Sequence, residues 1–180
     1  MKQILSKSIV LIGLMGSGKS AIGKMLSEAI GVPFSDTDNI IEKEVGKKIY
    51  QIFDDSGEGY FRQVEERVAG RTLEDKAHII SMGGGSILSS KTRSAITFKS
   101  CSIWIQCDVN IIAKRIVDQE TRPLLKNKNL VNTLIKNYEE RISFYSQADI
   151  HVENENPNLE IAVKAIIKNL LSNKVLKNND

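Results

Sequence analysis

IVLIGLMGSGKS, residues 9–20, joins a short apolar run rich in β-branched residues to a glycine loop. Ile9 to Ile12 has the continuous hydrophobicity of a strand buried on both faces. The next eight residues fit the phosphate-binding pattern G-x-x-x-x-G-K-[ST] at every fixed position: Gly13, Gly18, Lys19 and Ser20. Glycine lets the backbone turn tightly enough for successive N–H groups to converge on an anion. The expected phosphate cradle runs from Gly13 through Gly16, Ser17 and Gly18 to Ala21. Lys19 reaches the terminal phosphates as a point charge, and Ser20 offers its hydroxyl to Mg²⁺. After the loop, Ile22, Met25, Leu26, Ala29 and Ile30 recur at helical spacing until Gly31. Strand, loop and helix stand in the order that a nucleoside triphosphate site requires, with the helix's positive end at the anion.

Outward from this unit, apolar runs alternate with helical patterns, the mark of a parallel α/β sheet. Further strands are expected from Val32 to an end at Asp36-Thr37-Asp38, and at Ala77–Met82, Ser102–Ile105 and Ile150–Val152. Helices are expected around Asn39–Val45, Lys48–Asp54, after Gly57, and at Ser90–Phe98, Val109–Ile116 and Leu130–Tyr145. A last helix opens at Pro157. The expected architecture is a three-layer α/β/α sandwich on a five-stranded parallel sheet, a single domain over residues 1–180. The polar stretch 118–130 is read as a mobile lid and residues 174–180 as a frayed tail. Ligands of such sheets sit beyond the carboxyl ends of the strands, so the chemistry is expected on that rim.

Bulk properties exclude several partners. The formal net charge of +3 on 180 residues is too small to argue for nucleic acid. No apolar run approaches the roughly 20 residues that span a bilayer. A cleaved leader is not expected, because cleavage after the first apolar run would destroy the loop. Cys101 and Cys107 fit neither a zinc spacing nor a disulfide framework, and read as reduced thiols of a cytoplasmic protein.

On the rim, Asp36 and Asp38 stand two apart at a strand end, a spacing that turns both carboxylates to one side. Phosphoryl transfer uses one anionic group for Mg²⁺ and another for the attacking hydroxyl. Capping of the next helix by Asp38 is the competing reading. Arg141 falls within the apolar stripe of Val131, Leu134, Tyr138, Ile142 and Tyr145; it suits a ligand carboxylate or an internal salt bridge. Arg62 has Glu58 and Glu66 four residues either side, with Glu65 nearer the inward stripe. Phe53 and Phe61 read as core. Gly83-Gly84-Gly85 at a strand end suits a ligand's close approach or a plain turn. Arg122, in the lid, suits either charge stabilisation during transfer or a solvated loop. Arg115 has no distinguishing local feature.

These motifs together resemble the shikimate kinases. The resemblance runs from about Ile9 to Pro157, through GLMGSGKS, DTD at Asp36–Asp38, IFDDSGEGYFRQVE at Ile52–Glu65, GGG at Gly83–Gly85, TRPLL at Thr121–Leu125 and ERISFY at Glu140–Tyr145. It implies that ATP phosphorylates the 3-hydroxyl of shikimate, a step towards aromatic amino acids; a monomer is expected. It further implies that Lys19 contacts the transferring phosphoryl group and that Ser20 and Asp36 serve Mg²⁺. By the same resemblance Asp38 binds the attacking hydroxyl, Arg62 and Arg141 clamp the carboxylate, and Gly83, Gly84 and Gly85 give backbone contacts. Arg122 comes from the lid, Arg115 and Pro157 lie near the adenine, and Phe53 and Phe61 wall the pocket, against their reading as core.

Ser143-Phe144 stands where the family usually has Pro-Leu. Two other functions share part of the pattern. A kinase for a gluconate-like acceptor would also use two arginines, and a silent nucleotide-binding module would share the loop. The DTD, FR and GGG set favours the cyclic acceptor. A module should have lost Lys19, Asp38 or an arginine, and all are retained.

Overall fold

Five parallel strands form the centre of the molecule, in a computed structural model that describes residues 4–117 and 130–177. In chain order the elements are β1 (Ile4–Leu5), β2 (Ser8–Ile12), α1 (Lys19–Ile30), β3 (Phe34–Asp36), α2 (Thr37–Val45) and α3 (Ile49–Thr72). Then follow β4 (Ile79–Ser81), a 3₁₀ turn at Ser86–Leu88, α4 (Ser90–Lys99), β5 (Ser100–Gln106) and α5 (Val109–Val117). The last elements are α6 (Leu130–Tyr145), β6 (Ile150–Glu153), α7 (Leu159–Ser172) and β7 (Leu176–Lys177). The large sheet has the order β3-β4-β2-β5-β6, every pair parallel.

β2 lies in the middle of this sheet, with Val10 opposite Ile80 on one side and Ser102 on the other. All five of its residues are buried. Because side chains alternate along a strand, β2 feeds two separate cores. Ile9 and Leu11 pack with Leu26 of α1 and Ile166 and Leu170 of α7. Val10 and Ile12 pack with Ile96, Ile112, Leu134 and Tyr145 of the helices on the other face. A third, smaller cluster joins Ile41 of α2 to Ile52, Phe61, Val64 and Val68 of α3. The expected three-layer α/β/α architecture is therefore what the chain adopts.

Around Gly57 the structure follows the sequence reading: α3 consists of two helical stretches that meet at a kink, where Gly57 leaves helical geometry at φ 77° and ψ 169°. That left-handed φ is open to glycine at little cost.

The tail is a correction. Leu176–Lys177 pairs antiparallel with Ile4–Leu5, and Val175 and Leu176 are buried against the α1/α7 core. Polar Lys, Asn and Asp residues hid this, because a two-residue strand carries too little periodicity to read. Residues 178–180 and the expected lid at 118–129, including Arg122, lie outside the described residues. Leu130, placed at the lid's end, is the buried first residue of α6.

Both cysteines are unpaired thiols, and burial pushes the Cys101 thiol up to about 11. Among the described residues no helix is long and apolar enough to cross a membrane.

If the terminal clasp belongs to the core, Leu176→Ala should lower stability by about 2–5 kcal/mol. Ile4→Ala, on the exposed side of the same clasp, should change it by no more than about 0.5 kcal/mol. Urea unfolding midpoints of the two variants check this.

Candidate active site

The loop after β2 turns through three left-handed glycines: Gly13 at φ 143°, Gly16 at 75° and Gly18 at 97°. Gly18 is also the N-cap of α1 and offers no side chain, so the first helical N–H groups are not consumed by a capping oxygen. Lys19 is buried, and its Nζ donates to the Gly13 carbonyl at 2.9 Å and the Leu14 carbonyl at 2.8 Å. A buried ammonium needs such partners. The bonds fold the lysine over its own loop, where a phosphate oxygen can compete for it.

The loop is anchored from behind by a residue that no motif announced. Asn154, just past β6 and 2% exposed, donates from Nδ2 to the Ser17 carbonyl at 2.7 Å. Its backbone N–H donates to the Gln106 carbonyl at 2.8 Å, and its own carbonyl accepts from Arg115 Nη2 at 2.9 Å. A Cβ on Gly18 would run into the same amide. Arg115 thus joins the loop's support, also reaching Cys107 Sγ at 3.4 Å. Pro157 is exposed three residues beyond Asn154. The Ser17 hydroxyl is buried with no hydrogen-bond partner, and Ala21 is exposed on the first turn of α1.

Ser20 Oγ donates to Asp36 Oδ2 at 2.5 Å, beside Ser81 Oγ at 3.4 Å. Asp36, not Asp38, caps α2: its Oδ1 accepts from the N–H groups of Asp38 at 3.0 Å and Asn39 at 3.4 Å. This corrects both readings of the pair. The strand ends at Asp36, so Asp38 stands in the first helical turn rather than two residues along one strand face. The outcome still serves the site. A Cβ added to Gly83 would lie 2.7 Å from Asp38 Oδ1 and 2.6 Å from Glu65 Oε1, so the glycine is what admits both carboxylates.

The glycine triplet is the meeting point. A Cβ on Gly84 would stand 3.1 Å from Met15 N and 3.2 Å from the Gly13 carbonyl, and one on Gly85 would enter the Arg62 guanidinium. Close approach of other groups to the main chain, rather than a plain turn, explains the run.

Arg62 pairs with Glu65 at 2.7 Å and with Glu58 at 3.0 Å. The expected Glu66 pairing does not occur, since Glu66 accepts from Ser89 and Lys91 instead. Burial opposes the Arg62 charge, but the Glu65 and Glu58 carboxylates outweigh it and hold the guanidinium above its ordinary value. Glu65 is itself buried and accepts from Ser86 Oγ at 2.9 Å. Phe61 belongs to the third core cluster, with Phe53 packed at its edge and the ring centroids 4.6 Å apart. Arg62 lies over the Phe61 ring at 5.2 Å.

Arg141 is 9% exposed. Its Nη2 donates to Asn137 Oδ1 at 3.1 Å, while Nε is buried without a partner. No salt bridge consumes it within the described residues. One turn on, the Tyr145 hydroxyl donates to the Gly84 carbonyl at 2.6 Å. Burial pushes Tyr145 up to about 12, with Arg141 and Arg62 pulling it down and Glu65 pushing it up. The charges of α3 and α6 therefore converge on this one hydroxyl.

The donor set fits a phosphate-bound Mg²⁺. Ser20, Asp36 and Ser81 supply hard oxygens but only one carboxylate, and no cluster of three metal-binding side chains exists among the described residues. Mg²⁺ is commonly held in this way, by one or two carboxylates together with substrate phosphates.

A family model described as shikimate kinase matches residues 15–171. The chain belongs to the shikimate kinase family. A shikimate kinase of Caulobacter vibrioides (strain NA1000 / CB15N) is 40% identical over 162 residues, 90% of this chain and 81% of that protein. Among solved structures, shikimate kinase from Acinetobacter baumannii in complex with shikimate has a TM-score of 0.88 at 29% identity, covering 94% of this chain and 95% of that one. Shikimate kinase from Aquifex aeolicus has a TM-score of 0.79 at 36% identity, with 93% and 98% covered. The reaction of this family is phosphorylation of shikimate, and a kinase uses ATP as donor.

Asn154→Ala should leave the Ser17 carbonyl unpaired, worth about 1–3 kcal/mol of loop stability. The expected result is a raised KM for ATP with the KM for shikimate little changed, measured by initial rates with each substrate varied in turn.

Proposed function

We propose that the rim transfers the γ-phosphoryl group of ATP to the 3-hydroxyl of shikimate with a division of labour among the residues described. The observation that carries this is the glycine triplet's position between the phosphate loop on one side and Asp38 and Arg62 on the other. Donor and acceptor machinery meet at a single turn.

The backbone N–H groups from Gly13 to Ala21 hold the donor phosphates, and Lys19 exchanges its loop carbonyls for phosphate oxygens. Asp38 accepts a hydrogen bond from the acceptor's 3-hydroxyl and takes its proton as the new P–O bond forms and the bond to ADP breaks. Little negative charge builds on the attacking oxygen in a loose transition state, so orientation is a large part of Asp38's task. Arg62 and Arg141 bind the acceptor carboxylate. Arg141 supports this with a buried Nε that lacks a protein partner, and Arg62 with a guanidinium held rigid by Glu65. Phe53 and Phe61 wall the pocket.

Ser20 and Asp36 are the residues suited to hold Mg²⁺, which when bound neutralises phosphate charge. Arg115 and Pro157 border the adenine, and Arg122 acts from the lid. The protein works as a monomer in this reading, the rim residues named other than Arg122 being brought together within one chain. Its unpaired thiols suit a reducing cytoplasm.

ADP release measured with shikimate, with gluconate and with no acceptor tests the reaction: turnover should require shikimate, and turnover with gluconate alone would sink the reading. Asp38→Asn should lower kcat by roughly 10²–10⁴ with ATP affinity nearly unchanged, and a matching loss of ATP binding would move Asp38 to the nucleotide site. Arg62→Ala or Arg141→Ala should cost about 2–5 kcal/mol of shikimate binding. A shikimate KM unmoved by both changes would refute the carboxylate clamp.

A further inference from the structure

Tyr145 is the largest fully buried side chain of the described residues, and its position on the α6 stripe makes it core by any pattern argument. Its ring fills that role, stacked on Trp104 of β5 with centroids 5.9 Å apart. A phenylalanine would fill it equally well. The hydroxyl is therefore the part that packing leaves unexplained. It gives its hydrogen bond to the Gly84 carbonyl at 2.6 Å, 61 residues away in the chain. A buried tyrosine hydroxyl needs some partner, but this one sits at the middle of the glycine triplet.

That carbonyl belongs to the turn whose two faces make the site. Gly84 abuts Met15 and Gly13 of the phosphate loop, while Gly83 and Gly85 abut Asp38, Glu65 and the Arg62 guanidinium. With no side chains, the triplet has nothing of its own to hold its register. On one flank Thr37 Oγ1 accepts from the Gly83 N–H at 3.1 Å, and a backbone bond runs from Ser86 N to the Gly83 carbonyl at 3.0 Å. On the other flank the Leu88 N–H donates to the Gly85 carbonyl at 3.0 Å, and among the described residues it is Tyr145, one turn after Arg141, that bonds the middle carbonyl.

We propose that Tyr145 is a positioning residue for the acceptor's carboxylate site: its hydroxyl fixes the glycine triplet relative to both Arg141 and Arg62. Arg141 and Tyr145 move as one piece of α6, so the bond sets the spacing between the two arginines through the turn. This rests on the proposed roles of Arg62 and Arg141, and it adds a residue that touches neither substrate. Loss of the bond loosens the clamp without removing either charge.

Tyr145→Phe tests this with the ring kept in place. The expected result is a shikimate KM raised about tenfold, in line with one buried carbonyl left unsatisfied, with kcat and the ATP KM within about twofold. A lower melting temperature with an unchanged shikimate KM would overturn the proposal and leave Tyr145 as core alone. A shikimate KM unmoved by both Arg62→Ala and Arg141→Ala would fail the underlying clamp reading instead, so the two failures are distinguishable.

A measurement on the wild type needs no variant. Site-specific incorporation of tyrosine labelled by ¹³C at Cζ at position 145 alone gives one resonance that reports on the hydroxyl's bond to the Gly84 carbonyl. Saturating shikimate should shift that resonance at neutral pH. A resonance that shikimate leaves in place would overturn the proposal even if Tyr145→Phe fails to fold.

Discussion

Everything on the functional rim depends on β2 being hydrogen-bonded along both edges and buried along its whole length. A strand held that way has no freedom until it leaves the sheet, so the backbone that follows emerges at one fixed point. Parallel neighbours release their own chains on the same side. The phosphate loop after β2, the Asp36 cap after β3 and the glycine triplet after β4 are therefore brought together by pairing alone. Trp104 and Asn154, from β5 and beyond β6, close the loop from the opposite flank.

Burial then sharpens the polar chemistry. Lys19, Glu65 and Arg141 are each nearly removed from water, and each must find partners or wait for a ligand. Lys19 rests on two loop carbonyls and Glu65 is held by Arg62 and Ser86. Arg141 keeps one buried donor unsatisfied. A site whose cations are already desolvated binds anions more strongly than a solvated one would.

Local pattern carried some residues well and others badly. The loop was legible because its spacing and its flanking strand and helix are all contiguous in sequence. Arg62 and both of its partners were visible, Glu58 by the i, i+4 rule and Glu65 by its place near the inward stripe; the same rule also offered Glu66, which bonds elsewhere. Asp38 was singled out through a strand geometry that the chain does not use, since α2 begins at Thr37, before it. Asn154 gave no signal. A single asparagine after a strand is indistinguishable from any loop asparagine until Ser17, 137 residues away, is known to lie beside it. The clasp of Leu176 with Leu5 was hidden for the same reason.

The sequence by itself determined the phosphate loop, the parallel α/β class, the placing of the chemistry on one rim and, through the joint set of motifs, the family. Those features live in windows short enough for periodicity and spacing to express them. Only the tertiary structure decided which carboxylate holds Arg62, which aspartate caps α2, what supports the loop from behind and where the Tyr145 hydroxyl points. The first two are local contacts, chosen by which side of α3 faces inward and by where β3 gives way to α2, whereas the last two join residues far apart in the chain. Such contacts follow from how the sheet orders its strands, and no local pattern encodes that order.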